Sequence, residues 1–418
     1  MTSRHDDCFK PGDHLMPVDQ AIAILNERLR PAAAIESVAL DEAHGRVLAR
    51  DVVSPRNVPP HDNSAVDGYA LRHGDLPADG EARLAVVGRA AAGHPFEGDI
   101  PAGGAVRIFT GAPMPAGLDS VVMQEDVRRE GAVLIIPPGL APGANRRNCG
   151  EDVRTGDVVL GAGARLHPQH IGLAASVGMT ALKVYAPLRV AIFSTGDEIC
   201  DPGTPLPAGG IYDSNRRLLR GLVGGLGLAV DDLGILPDRE GAIFEALDAA
   251  RRNHDVVITS GGVSIGEEDH VKAVVERLGA LHFWRLAIKP GRPVALGQLG
   301  DTPFIGLPGN PVAVMVTFML LARPMLQILG GEPPAPPRRY RIRAGFDYAK
   351  KPGRREWLRA SLHKADDGQW EAHRHARQGS GVLSAVVHSD GLVEVGETVT
   401  HIEQGELVDF LPYNEVGV

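Results

Sequence analysis

The sequence predicts a multidomain α+β protein: a central three-layer α/β domain with a mostly parallel sheet, β-rich modules inserted before it, and a small C-terminal β-barrel. Three observations point there. Strand-like and helix-like runs alternate through residues 188–330, the rhythm of a parallel sheet covered by helices. Short apolar runs cut by Gly and Pro fill residues 37–187. After the Pro-rich "GGEPPAPPRR" (330–339), apolar and polar residues alternate in the manner of half-buried strands. The expected divisions are 17–36 with 188–336 for the α/β domain, 37–54 with 156–187 for a linking β-rich domain, 55–155 for an inserted β-rich domain, and 337–418 for the barrel. A chain of 418 residues is long for a single core, which agrees with several domains.

Taken in order, residues 1–15 are polar and expected to fray. "VDQAIAILNERL" has helical spacing through Val18, Ala21, Ile22 and Leu25. "EARLAVVGRAAAG", "GAVRIFTGAP", "DSVVMQEDVRREGAVLIIP" and "GDVVLGAGARL" read as strands between turns. In the α/β domain, "LRVAIFSTGDEI", "LAVDDLGILPD" and "HDVVITSGG" are strands ending in loops. "NRRLLRGLVGGLG", "REGAIFEALDAARRN" and "VKAVVERLG" are helices. "WRLAIKPGRPVALGQL" and "TPFIGLPGNPVAVMVTFMLL" add further strands and a closing helix. Its apolar core, "VAVMVTFMLLA" (312–322), is too short to span a bilayer and reads as buried. "RRYRIRAGF", "EWLRASLH", "QWEAHRH", "LVEVGETVTHI" and "ELVDFLP" supply a barrel or sandwich.

Composition narrows the function. Hydrophobic residues at 44% and charged residues at 23% describe an ordinary soluble protein, and no stretch resembles a signal peptide, so the cytoplasm is the expected compartment. A net charge of -9 argues against general nucleic-acid binding. Cys8, Cys149 and Cys200 have no paired spacing, so neither a disulfide framework nor a zinc site follows.

Ligands of a parallel sheet bind at the carboxyl ends of its strands. "STGDE", "LPDRE", "SGGVS" and "LPGNP" fall at such ends and should share a rim. Each glycine turn alone is ordinary connection chemistry, and acidic residues such as Asp238 and Glu240 suit helix N-termini. Together they combine an anion cradle with carboxylates: Asp197, Glu198, Asp238, and Glu267 to Asp269. Two like charges about 4 Å apart repel by about 4 kcal/mol at an effective dielectric near 20. Carboxylates beside phosphate therefore call for basic residues, such as Lys289 and Arg292, or a divalent cation, for which Mg2+ is the natural choice. "HDNSAVDGYAL" (61–71) and "FTGAPMPAGLDSVVMQED" (109–126) read equally well as turns or as sites around Asp62, Asp67 and Thr110. "GANRRNCGED" (143–152) offers two arginines to a second anion, with a solvated charge run as its plain alternative.

"DNSAVDGYA", "TGAPMPAG", "RRNCGED", "STGDEI", "IYDSN", "TSGGVSIGEED", "AIKPGRP" and "GLPGNPVA" occur in that order across 62–313, and the whole resembles the MoeA family of molybdopterin molybdenumtransferases, related to the gephyrin E domain. The resemblance covers nearly the whole chain and implies a MogA/MoaB-like central domain. It implies insertion of molybdate into adenylylated molybdopterin, with Mg2+-dependent cleavage of the adenylate that releases AMP and molybdenum cofactor. It also implies catalytic positions at Asp67, Asp152, Glu198, Asp238 and Asp269, of which Glu198, Asp238 and Asp269 hold the metal. Substrate contacts map onto Thr110, Arg147, Ser260, Gly261, Gly262, Ser264, Arg285, Lys289, Pro308, Gly309, Asn310, Pro311, Arg359 and Ser380. Two positions depart from the family pattern: Arg285 stands where a lysine is expected, and Asn148–Cys149 interrupt a basic run that Arg146 extends upstream. Arg285 lies four residues before Lys289, so an alternating strand would put both on one face. The expected partners are a second copy completing an inter-subunit cleft, the adenylyltransferase, and acceptor molybdoenzymes or their chaperones, with no nucleic acid and no membrane. The alternatives are a tungstate-inserting paralogue and a gephyrin-like scaffold.

Overall fold

The computed structural model describes residues 15–262 and 270–417. Its chain forms two compact units, one made of residues up to 36, 45–49 and from 184 onward, the other of 37–44 and 50–183.

The first unit is built on a six-stranded sheet. Its strands run, in spatial order, Ala229–Leu236, Arg189–Thr195, Val256–Ser260, Thr302–Leu307, Pro293–Leu299 and Gly279–Arg285. The first four pair in parallel, and the last two pairings are antiparallel, so only Pro293–Leu299 runs against the others. Side-chain alternation feeds two cores. Val190, Ile192, Val256 and Ile258 join the helices Val18–Arg28 and Asn215–Gly225 on one face. Ala191, Phe193 and Val257 join Glu240–Asn253 and His270–Leu278 on the other. Burial on both faces is why these strands read as unbroken apolar runs. The expected three layers are present.

The closing helix is longer than its apolar core suggested. Pro311–Thr317 continues through a π-helical turn, Phe318–Ala322, into Arg323–Leu329. Arg323 and Pro324 look like a stop in sequence. The π turn before Pro324 accommodates a residue that cannot donate its backbone N–H. The 19 residues from Pro311 to Leu329 are long and apolar enough to cross a membrane, yet 94% of this apolar stretch is buried inside the protein. They form its core.

The C-terminal strands close into a ring: Arg355–Lys364, Trp370–Arg374, Tyr340–Ala344, Leu407–Pro412 and Gly391–Val395, with the last paired back to the first. This is a five-stranded barrel filled by Leu358, Ala372, Val393, Val408 and Phe410. Ile288–Lys289, from the α/β domain, adds in parallel to Arg355–Lys364.

The second unit is β-rich, as expected. A six-stranded sheet orders Ser120–Met123, Gly68–Leu71, Gly104–Ile108, Ala82–Ala90, Val133–Ile136 and Arg128–Glu130. It also contains a helix absent from the sequence reading, Pro168–Ser176. Pro168 stands in its first turn and Gly178, at φ 86°, follows its end. That Pro-first, Gly-after order is a helix signal.

Candidate functional site

In the second unit, three sequence-predicted loops are stitched together by backbone bonds. Ser64 N donates to Ala112 O at 3.0 Å, and Ala65 N to Asn145 O at 2.9 Å. Arg147 pairs with Asn63 in a two-residue ladder. Within this cluster Thr110 donates to Asp67 Oδ1 twice, from its backbone N at 2.8 Å and its Oγ1 at 2.9 Å. Those two bonds, the backbone one first, hold the Asp67 carboxyl below its ordinary pKa. Arg147 and Asp152 are exposed on the neighbouring loop. Arg146, the upstream cation, sits 3.7 Å from Asp62.

In the first unit, the strand ends converge as expected. Thr195 closes one parallel strand, and its Oγ1 donates to Asp238 Oδ1 at 3.4 Å. Gly196, next along, sits at φ 137° with the Glu198 carboxylate folded back against it. Both carboxylates thus lie against Thr195–Gly196. Asp238 is not a helix cap: Arg239 holds the N-cap position of Glu240–Asn253, with no side-chain cap bond. Glu240 is the acidic residue of that helix's first turn, where the macrodipole favours it.

The Glu198 loop is held from behind. Ile211 N donates to Glu198 O at 2.8 Å, and Asp213 N to Cys200 O at 2.9 Å. Arg216, 3% exposed, lies 3.2 Å from Asp213 and 3.1 Å from Asp232, and pairs with Asp201 as well. Next to it, Asn215 Nδ2 donates to Gly309 O at 2.6 Å. The start of one helix therefore ties the "STGDE" and "LPGNP" loops to a single support.

A cavity of about 710 Å³ opens at the ends of Val256–Ser260 and Thr302–Leu307. Gly261, Gly262, Pro308, Gly309 and Asn310 line it, together with Lys289, Arg292 and Ser380. Pro311 starts the closing helix with Asn310 as its N-cap, and Val312 N donates to Ser380 O at 3.0 Å. Ser260 is buried, and its Oγ has no hydrogen-bond partner among the described residues. The cradle is less open than the glycine pattern implied, because Gly261 N is already bonded to Leu307 O at 3.1 Å. Gly262 is constrained differently. It sits at φ +64°, and a Cβ there would come within 2.6 Å of Thr195 Cγ2 and 3.0 Å of Val271 Cγ2. Gly262→Ala is therefore expected to cost about 2–5 kcal/mol, the sum of about 1–2 for a left-handed backbone and about 1–3 for a crowded methyl. Urea unfolding checks the stability, and calorimetric titration with inorganic pyrophosphate checks for weaker anion binding.

Arg359 is 1% exposed, a cation inside the barrel wall. Its guanidinium donates to Gly379 O at 3.1 Å, behind the segment that lines the cavity. Burial holds its pKa below the ordinary arginine value. Arg285 departs from expectation. It ends Gly279–Arg285, after which Leu286 bridges to Met16 and Lys289 enters a separate strand beside the barrel. One alternating strand does not carry both, and Arg285 is not among the cavity-lining residues. Ser264 and Asp269 lie outside the described residues. Among the described residues no group of three or more His, Cys, Asp or Glu could hold a metal ion. Arg292, read in the sequence with Lys289 as a cation of the rim, lines the cavity beside it.

Comparison with known proteins matches three family descriptions in succession. These are "MoeA N-terminal region (domain I and II)" over residues 16–178, "Probable molybdopterin binding domain" over 191–328, and "MoeA C-terminal region (domain IV)" over 341–413. A molybdopterin molybdenumtransferase of Haemophilus influenzae is 41% identical over 404 residues, covering 96% of this chain and 100% of the relative. One from Nostoc sp. is 37% identical, covering 90% and 89%. A crystal structure of the molybdopterin biosynthesis MoeA protein of Pyrococcus horikoshii superposes with a TM-score of 0.83 at 31% identity, covering 96% of this chain and 100% of that one.

Proposed function

The chain belongs to the MoeA family of molybdopterin molybdenumtransferases, enzymes of molybdenum cofactor biosynthesis, and from that premise we infer that it inserts molybdate into adenylylated molybdopterin and releases AMP. One observation carries the chemistry: the cavity of about 710 Å³ at the strand ends, with Lys289 and Arg292 on its wall and Glu198 and Asp238 on the same rim. That volume suits a nucleotide-sized ligand. The cations suit its diphosphate and the molybdate oxyanion.

The rim carboxylates are hard oxygen donors, and Thr195 engages only Oδ1 of Asp238, so the donor set fits Mg2+. Glu198 and Asp238, with Asp269, would hold it; when bound, Mg2+ offsets charge between carboxylate and phosphate and polarises a phosphoryl oxygen. Lys289 and Arg292 bind anionic oxygens of the substrate. Arg359 fixes the Gly379 carbonyl, and so the wall that carries Ser380. Asp67 and Thr110, with Arg147 and Asp152, form a second substrate-contacting surface on the β-rich unit. A homodimer completing the cleft, the four-part domain division and a cytoplasmic compartment belong to the same reading.

The test is direct. Purified protein, adenylylated molybdopterin and Mg2+ are incubated with molybdate or with tungstate, and AMP and pterin-bound metal are measured. AMP with molybdate supports the enzyme. AMP with tungstate alone makes the chain a tungstate-inserting paralogue, and none with either oxyanion leaves a scaffold.

A further inference from the structure

Glu356 is a carboxylate only 3% exposed, in the barrel strand Arg355–Lys364. The parallel pairing of Ile288–Lys289 with that strand sets Lys289 opposite Glu356. Lys289 Nζ donates to Glu356 Oε2 at 3.0 Å, and Tyr348 Oη donates to the same oxygen at 2.6 Å. Burial pushes the Glu356 carboxyl up, but the bonds from Tyr348 and Lys289 outweigh it and hold the pKa below the ordinary value. The Tyr348 hydroxyl is pushed up to about 12, by burial first and by its bond to Glu356 second. The carboxylate therefore stays ionised and the phenol protonated.

Lys289 faces the other way as well. Its side chain is 47% exposed and lies on the cavity wall. An ammonium has three donors, and Glu356 accepts from one, leaving two for an anionic ligand. A lysine with no such partner would sample many rotamers on its four-carbon stem. The arrangement has an electrostatic cost, since Glu356 cancels part of the charge that would draw an anion in. What it gains is placement.

We propose that Glu356 is a positioning residue: it fixes the Lys289 ammonium at one point on the cavity wall, where it meets an anionic oxygen of the substrate, and Tyr348 fixes Glu356. This deepens the proposed function and rests on it.

A placement role and a merely structural role predict different results for Glu356→Gln. Glutamine keeps the shape and an acceptor for Tyr348, and it strands no buried cation, because Lys289 can swing into water. Placement predicts that kcat for AMP release falls about tenfold or more, while inorganic pyrophosphate, titrated by calorimetry, binds as tightly as before or tighter. Tyr348→Phe should show the same split at a smaller, several-fold size. A structural role predicts kcat unchanged in molecules that remain folded, and that result would overturn the proposal. So would kcat falling only in step with pyrophosphate affinity. Wild-type protein that releases no AMP would sink the proposed function and this inference together, whereas an active wild type with an equally active Glu356→Gln sinks this inference alone.

Discussion

Asp238→Asn is expected to slow AMP release about a hundredfold at saturating substrate and Mg2+, a loss of about 2.7 kcal/mol of transition-state stabilisation. Asparagine keeps the size of the side chain and an acceptor for Thr195 Oγ1, so the strand end should hold its shape. What disappears is the charge. Binding of adenylylated molybdopterin should survive and tighten slightly, since one carboxylate no longer repels the diphosphate. The competing reading, a helix cap, predicts almost no loss, because Asn caps helices as well as Asp. Arg239 at the N-cap position already weighs against that reading. Single-turnover AMP release by wild type and variant separates the two.

The second large effect is on stability. Arg216→Ala leaves Asp213, itself 4% exposed, without its counter-charge, and frees Asp201 and Asp232 from the same guanidinium. Removing one member of a buried ion group costs about 3–5 kcal/mol, because the remaining charge stays out of water unpaired. For a unit of this size that corresponds to roughly 10 °C in Tm. The double variant Arg216→Ala with Asp213→Ala should recover part of the loss, since no buried charge is then stranded. Differential scanning calorimetry reads both. Full wild-type Tm in Arg216→Ala would show that the cluster is not what holds the Glu198 loop.

Local pattern made the central domain legible, because strands buried on both faces leave continuous apolar runs and the helices between them keep a 3.6-residue period. The rim was legible for the same reason: once the strands are placed, their carboxyl-end loops are placed too. What escaped depended on distant partners. Arg285 and Lys289 look like one strand. Yet Met16 N donates to Arg285 O at 2.8 Å and Ala287 N to Met16 O at 2.8 Å, and the barrel then captures Ile288–Lys289. No pattern near residue 285 announces pairing with residue 16. Nor could spacing reveal that Lys289 shares an oxygen with Tyr348 through Glu356, 67 positions on. The resemblance implied a substrate contact at Arg359, and nothing in the local sequence shows its burial, since arginine is rarely enclosed so fully. The closing helix runs beyond its apolar core of 312–322, through Arg323–Pro324, which the preceding π turn accommodates.

On the proposed function, adenylate cleavage and metal insertion are coupled in this chain. The most direct test follows both products in one single-turnover reaction of wild-type protein with adenylylated molybdopterin, Mg2+ and molybdate. AMP and pterin-bound molybdenum should appear in equal amounts and with one rate constant, and both should slow together in Asp238→Asn. Molybdenum entering the pterin while the adenylate stays intact would show that the two steps are not coupled.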